Sequence, residues 1–175
     1  MNNILLISEK ALKSYSLIDD NIDGKYILPA IQTAQNIDLE NLIGPALLRK
    51  LYELVDSDEI MSQKAYKTLL DEYIVPYLIY DVMTTVQIGL NYKFSNSGMS
   101  ISTDEHRAQM EFRNNQLLVE QYQHYANSYA LKLKAFLDNH SNDYPEYLTK
   151  IDCRGANDVQ PGGIFFEKRC KCRLR

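Results

Sequence analysis

The dipeptide Gly44-Pro45 separates two stretches with amphipathic helical spacing, and this corner constrains the fold more than any other feature of the chain. Proline fits the first turn of a helix but not its interior, so we predict that a helix begins at Pro45. A helix before the corner would place five residues near one face: Ile27, Ala30, Ile31, Ala34 and Gln35. Apolar residues after the corner form a wide stripe: Leu47, Leu48, Leu51 and Leu54. We therefore predict helices over about 25–37 and 45–55 that pack across the corner.

Two longer helical stretches follow. The first has apolar and aromatic residues at three- and four-residue steps, and its Pro76 is predicted to kink or split it near Ile74. The second begins at a cap, Thr103, and has a stripe made of Leu118, Tyr122, Tyr125, Tyr129, Leu133 and Phe136. We interpret this stripe as core; an interface between subunits is the alternative.

A β-hairpin is predicted over about 91–102, between the two long helices. Tyr92 and Phe94 alternate with polar residues before a Gly-containing turn, and Met99 and Ile101 alternate after it. A lone two-stranded hairpin is marginal in water, so we expect these four residues to contact another subunit. The alternative is a strand-like loop that folds back on its own core.

The charge changes sign along the chain. Residues 1–150 hold 13 basic and 20 acidic residues, a net of −7, whereas residues 151–175 hold 6 and 3, a net of +3. An acidic body binds duplex DNA poorly, because that affinity depends largely on cations that displace counterions. No apolar run approaches the ~20 residues of a membrane span, and we expect a protein that is assembled in the cytosol. The predicted fold is all-α: a bundle of about five helices over 1–150 with one hairpin, followed by an arm over 151–175.

The arm is rich in turn-forming residues and ends in an apolar trio beside a basic cluster. We expect it to dock on a partner through both groups: Ile164, Phe165, Phe166, Lys168, Arg169, Lys171, Arg173 and Arg175. Packing on its own domain and a weak contact with nucleic acid are the alternatives.

No catalytic or metal site is predicted. Cys153, Cys170 and Cys172 are expected to be free thiols, because the one-residue spacing of the last two departs from the usual zinc chelate. The histidines His106, His124 and His140 lie too far apart to place two ligands on one helix face. No phosphate loop or nucleophile motif is found, so we expect no cofactor and no enzymatic activity.

The first helix and the corner resemble the head-tail connector (adaptor) proteins of tailed bacteriophages. The resemblance lies in a Pro-Ala-Ile-x-x-Ala-Gln helix that leads into a Leu-x-x-Leu-x-Gly turn and a second helix, and it extends over roughly 5–150. The residues that carry it are Tyr26, Pro29, Ala30, Ala34, Gln35, Leu42, Gly44, Leu47 and Leu51. It implies a virion protein at the portal vertex, assembled in the bacterial cytoplasm as a dodecameric ring. Its partners would be the portal protein and the next tail protein, and genomic DNA would pass through the ring without sequence-specific binding.

Two other classes of function stay open at this stage. A small helical regulatory domain that acts through a partner would be a monomer or dimer. An enzyme with an unrecognised site would need a deep polar pocket with perturbed titratable groups.

Overall fold

The structure is a computed structural model that describes residues 4–95, 98–101 and 112–147. Most of this part is helical, which confirms the predicted all-α class. The helices are α1 Glu9–Tyr15, α2 Gly24–Thr33, α3 Glu40–Ile43, α4 Pro45–Asp56, α5 Lys64–Thr68, α6 Val75–Asn91 and α7 Phe112–Asn139. Between α6 and α7, strand β1 Tyr92–Ser95 pairs antiparallel with strand β2 Gly98–Ile101.

A helix begins at Pro45, as predicted, and Gly44 caps the end of the helix before it. The backbone of Gly44 has φ 91° and ψ 156°, a conformation that is essentially restricted to glycine. Pro45 then occupies the first turn of α4, where a missing N–H costs no helical hydrogen bond. Gly44 therefore permits the turn at the corner, and Pro45 starts the helix that follows it.

Two π-helical segments join the shorter α-helices into long ones. Ala34–Leu39 connects α2 to α3, so the first long helix covers 24–43, and the predicted end at about residue 37 was wrong. Asn36 and Asp38 are poor helix formers, but burial of Leu39 and Ile43 favours continuation of the helix past them.

The second π segment, Leu69–Ile74, connects α5 to α6 immediately before Pro76. Proline lacks the N–H that would bond to the preceding turn, and the wider π turn lies at this point. The helical run nevertheless continues from 64 to 91 instead of splitting in two.

The core is formed chiefly where α6 packs against α7 and α2. Leu78 of α6, Leu133 of α7 and Ile31 of α2 are completely buried. Aromatic rings line the contact of the long helices: Tyr73 stacks on Phe136 with ring centroids 4.1 Å apart, and Tyr80 stacks on Tyr129 at 5.3 Å. The α7 stripe therefore packs internally over much of its length.

The segment after α7 folds back onto the start of the 64–91 helix. The Tyr144 hydroxyl donates to the Ala65 carbonyl at 2.9 Å, and the Tyr66 hydroxyl donates to Glu146 Oε2 at 2.9 Å. The rings of Tyr66 and Tyr144 also meet edge to face at 5.4 Å. Burial raises the pKa of Tyr144 to about 12, as expected for a phenol held in a core.

None of the helices within 4–95 and 112–147 is both long and apolar enough to span a bilayer.

Candidate functional site

A polar cleft of about 340 Å³ lies where the first π segment, α3, α6 and α7 meet. Asp38 of the π segment and Asn41 of α3 form one side. Tyr77 and Asp81, one turn apart on α6, form the second side. A third side of the cleft comes from Gln123 and Asn127, one turn apart on α7. The 3.6-residue period of each helix thus directs polar groups from three elements to one place.

Asp81 is the chemically unusual group in this cleft. Its Oδ2 atom is buried and has no hydrogen-bond partner among the described residues. Burial, with a smaller contribution from the negative charge of Asp38, raises the pKa of the Asp81 carboxyl to about 7. The residue can therefore gain or lose a proton near neutral pH.

The pKa values of Asp38 and Tyr77, which line the same cleft as Asp81, are also raised. Asp38 is exposed at the mouth of the cleft, and partial burial raises its pKa. Burial also raises the pKa of the Tyr77 phenol, and the charges of Asp81 and Asp38 raise it further. The cleft is thus an electronegative concavity.

The chemistry that this geometry suits is the binding of a hydrogen-bond donor that carries positive charge. All ten lining residues are acidic, neutral polar or apolar, so the cleft contains carboxylates without a basic side chain. Within the described part of the chain, no group of three or more His, Cys, Asp or Glu side chains is arranged to hold a metal ion. His124 is exposed on α7, and His140 Nδ1 lies 3.0 Å from the Phe136 carbonyl; neither lines the cleft.

Sequence reasoning missed this cleft, although one signal was available. Asp81 is the only charged residue in the sequence from Val75 to Leu90, on a helix that is otherwise apolar or neutral. Asp38, the other carboxyl residue of the cleft, lies 43 positions earlier in the sequence. It also lies beyond the predicted end of the first long helix, so nothing in the sequence places the two residues together.

The residues that carry the connector resemblance differ in how deeply they are buried. Ala30, Ala34, Gln35, Gly44, Leu47 and Leu51 are buried. Tyr26 and Leu42 are half-buried, and Leu42 also contributes to the cleft. Pro29 is exposed, at the sixth position of α2.

Gln35 has a role that its place in the motif did not reveal. Its side chain is completely buried, and its Oε1 accepts from the Leu6 backbone N–H at 3.1 Å. Its Nε2 donates to the Ile4 carbonyl at 2.8 Å. Gln35 therefore satisfies two backbone groups of the N-terminal segment and fixes that segment to the core.

The predicted hairpin residues lie in paired strands. Tyr92 pairs with Ile101, and Phe94 pairs with Met99. The two strands contact mainly each other and the end of α6.

The predicted docking residues of the arm, Ile164 to Phe166 and Lys168 to Arg175, lie outside the described residues. The same holds for Cys153, Cys170, Cys172, His106 and the predicted cap Thr103.

No curated protein and no solved structure matches the chain. A family model does match, over residues 39–157, which include α4, α6, the hairpin and α7. The chain therefore belongs to the family of unknown function DUF6712.

Proposed function

We propose that this protein is a structural subunit of a phage head-tail adaptor ring, which joins the portal to the tail and surrounds the path of the DNA. The observation that carries the proposal is the two-stranded sheet between α6 and α7. Its strand order is β1-β2, so each strand has a single hydrogen-bonded neighbour among the described residues. An isolated pair of this kind is marginal in water and gains stability when another chain covers or extends it.

The position of the hairpin supports the same proposal. It lies between the two longest helical runs, 64–91 and 112–139, which pack against each other. A hairpin on a rigid base can reach a neighbour without loss of the subunit's own core. The resemblance of 5–150 to phage connectors gives this arrangement a biological setting.

Exposed apolar side chains elsewhere are consistent with an assembling protein. Tyr15 at the end of α1 is 73% exposed, Leu17 on the α1–α2 connection 87% and Leu131 on α7 69%. Single exposed apolar residues are common on monomers, so these positions support the proposal and do not carry it.

The experiment is to determine the mass and shape of the purified full-length protein, alone and mixed with the portal protein from the same genome. We expect closed rings of identical subunits by native mass spectrometry and electron microscopy. A double variant, Phe94→Ser with Met99→Ser, should lose ring formation while its circular dichroism stays helical. Met61→Ser, at a 67% exposed position in the 3-10 turn Glu59–Met61, is the matched control.

Two results would contradict the proposal. One is a protein that stays monomeric or dimeric at every concentration and does not bind the portal, which would favour the regulatory-domain alternative. The other is a ring that forms equally well with both hairpin substitutions.

A further inference from the structure

The polar cleft brings two carboxyl groups together, those of Asp38 and Asp81. Asp81 Oδ2 is buried without a hydrogen-bond partner, and a buried ionised oxygen is strongly disfavoured unless a donor or a cation reaches it. The exposed carboxyl of Asp38 lies at the same cleft and adds negative charge. A positively charged donor would neutralise both carboxyl groups.

The shape of the cleft limits what that donor can be. Its volume of about 340 Å³ is roughly ten times the volume that one water occupies in the liquid, so it admits a long side chain with some water. The side-chain amides of Gln123 and Asn127 also line the cleft, and an amide oxygen is a hydrogen-bond acceptor. A guanidinium group, with five N–H donors in one plane, matches several acceptors at once better than an ammonium does.

We propose that this cleft binds an arginine or lysine side chain from the basic segment 168–175 of a second copy of the chain. Charge complementarity supports this occupant: the segment contains five basic residues and no acidic ones, whereas residues 1–150 have a net charge of −7. The inference rests on the proposed ring, which would bring copies of the chain side by side. It goes further by naming the receiving site and the chemistry that is recognised.

The described chain ends at some distance from the cleft of the same molecule. The last described residues pack beside Ala65, because Tyr144 bonds to its carbonyl. Ala65 precedes Asp81 by 16 residues on one helical run, which is roughly 24 Å at a rise of about 1.5 Å per residue. Each arm therefore starts at a distance from its own cleft, although it is long enough to return to it, and the test distinguishes the two cases.

Protons compete with the proposed cation. Asp38 faces Asp81 from the π segment and Tyr77 from α6, while α7 contributes the neutral Gln123 and Asn127. Since the carboxyl is protonated below about pH 7, the cation should bind more tightly as the pH rises through that value.

The test uses full-length protein in which Lys168, Arg169, Lys171, Arg173 and Arg175 are all replaced by Gln. A synthetic peptide of residues 164–175 is titrated into it under reducing conditions, with calorimetry as the readout. We expect binding that weakens at least tenfold with Asp81→Asn and also weakens below about pH 7. The control Asp71→Asn removes an exposed charge on the same helical run and should change the affinity less than twofold.

Three outcomes would overturn the proposal. They are the absence of peptide binding, equal binding by the Asp81→Asn variant, and a wild-type monomer whose own arm blocks the peptide at every dilution, which would place the segment in its own cleft. The proposed ring can be wrong while the proposed binding site is right. This is the case if the peptide binds as expected but the wild-type protein forms no ring.

Discussion

Replacing Asp81 by Asn should stabilise the dilute subunit at neutral and alkaline pH. Asn has nearly the same shape as Asp but no charge, so the change removes the cost of an ionised Oδ2 that is buried without a partner. The pKa of Asp81 is about 7 in the folded chain, against 3.8 for an unperturbed aspartate. The folded state therefore binds this proton more tightly than the unfolded state does.

The sign of the pH effect follows from that difference. Proton binding by Asp81 stabilises the fold fully below the unfolded pKa, and this contribution is lost as the pH rises through about 7. The folded and unfolded pKa values differ by roughly 3 units, and one pKa unit corresponds to about 1.4 kcal/mol. The largest possible contribution of this proton to the free energy of unfolding is therefore about 4 kcal/mol. Because part of the carboxyl faces the open cleft, solvent screening lowers the expected effect to about 2 kcal/mol.

The assay is urea denaturation of wild type, Asp81→Asn and Asp71→Asn at a series of pH values. At about pH 8, Asp81→Asn should exceed the wild type by about 2 kcal/mol in free energy of unfolding, and the gap should close near pH 4. Asp71 is exposed, so its variant should follow the wild-type curve within about 0.5 kcal/mol. A variant that is less stable than wild type at about pH 8, or that keeps the wild-type pH slope, would refute this reasoning.

Three further substitutions test separate parts of the fold by urea denaturation. Gln35→Ala leaves the Leu6 N–H and the Ile4 carbonyl without their partner and should lower the free energy of unfolding by about 2–3 kcal/mol, whereas the exposed Thr33→Ala should change it little. Gly44→Ala forces a side chain into φ 91°, ψ 156° and should cost about 1–3 kcal/mol; a neutral result would mean that the corner can relax. Tyr66→Phe removes the hydrogen bond to Glu146 and should cost about 1 kcal/mol, unless water replaces the hydroxyl at no loss.

Local signals predicted the parts of the fold that local chemistry determines. Gly44 and Pro45 each have a strong backbone preference, so their adjacency indicated the corner directly. The face made of Ile27, Ala30 and Ile31 is buried, because an apolar stripe at helical spacing has to be covered.

The features that escaped prediction depend on tertiary context. The first long helix continues to Ile43 through a π segment because other elements bury Leu39 and Ile43. The sequence next to these two residues does not indicate that they are buried. Gln35 bonds to a segment about 30 positions earlier, and Asp38 and Asp81 meet only because two long helices pack together. Sequence periodicity shows which face of a helix is apolar, but not which polar groups of distant elements will share a cleft.

The proposed adaptor ring requires that this chain assembles with many identical copies of itself. Native mass spectrometry of the full-length protein, over a range of concentrations and with electron microscopy of the same sample, tests that claim most directly. We expect a closed ring whose subunits contact each other through the β1–β2 hairpin. A protein that remains a single subunit at all concentrations, or a ring in which the hairpin contacts no neighbour, would contradict it.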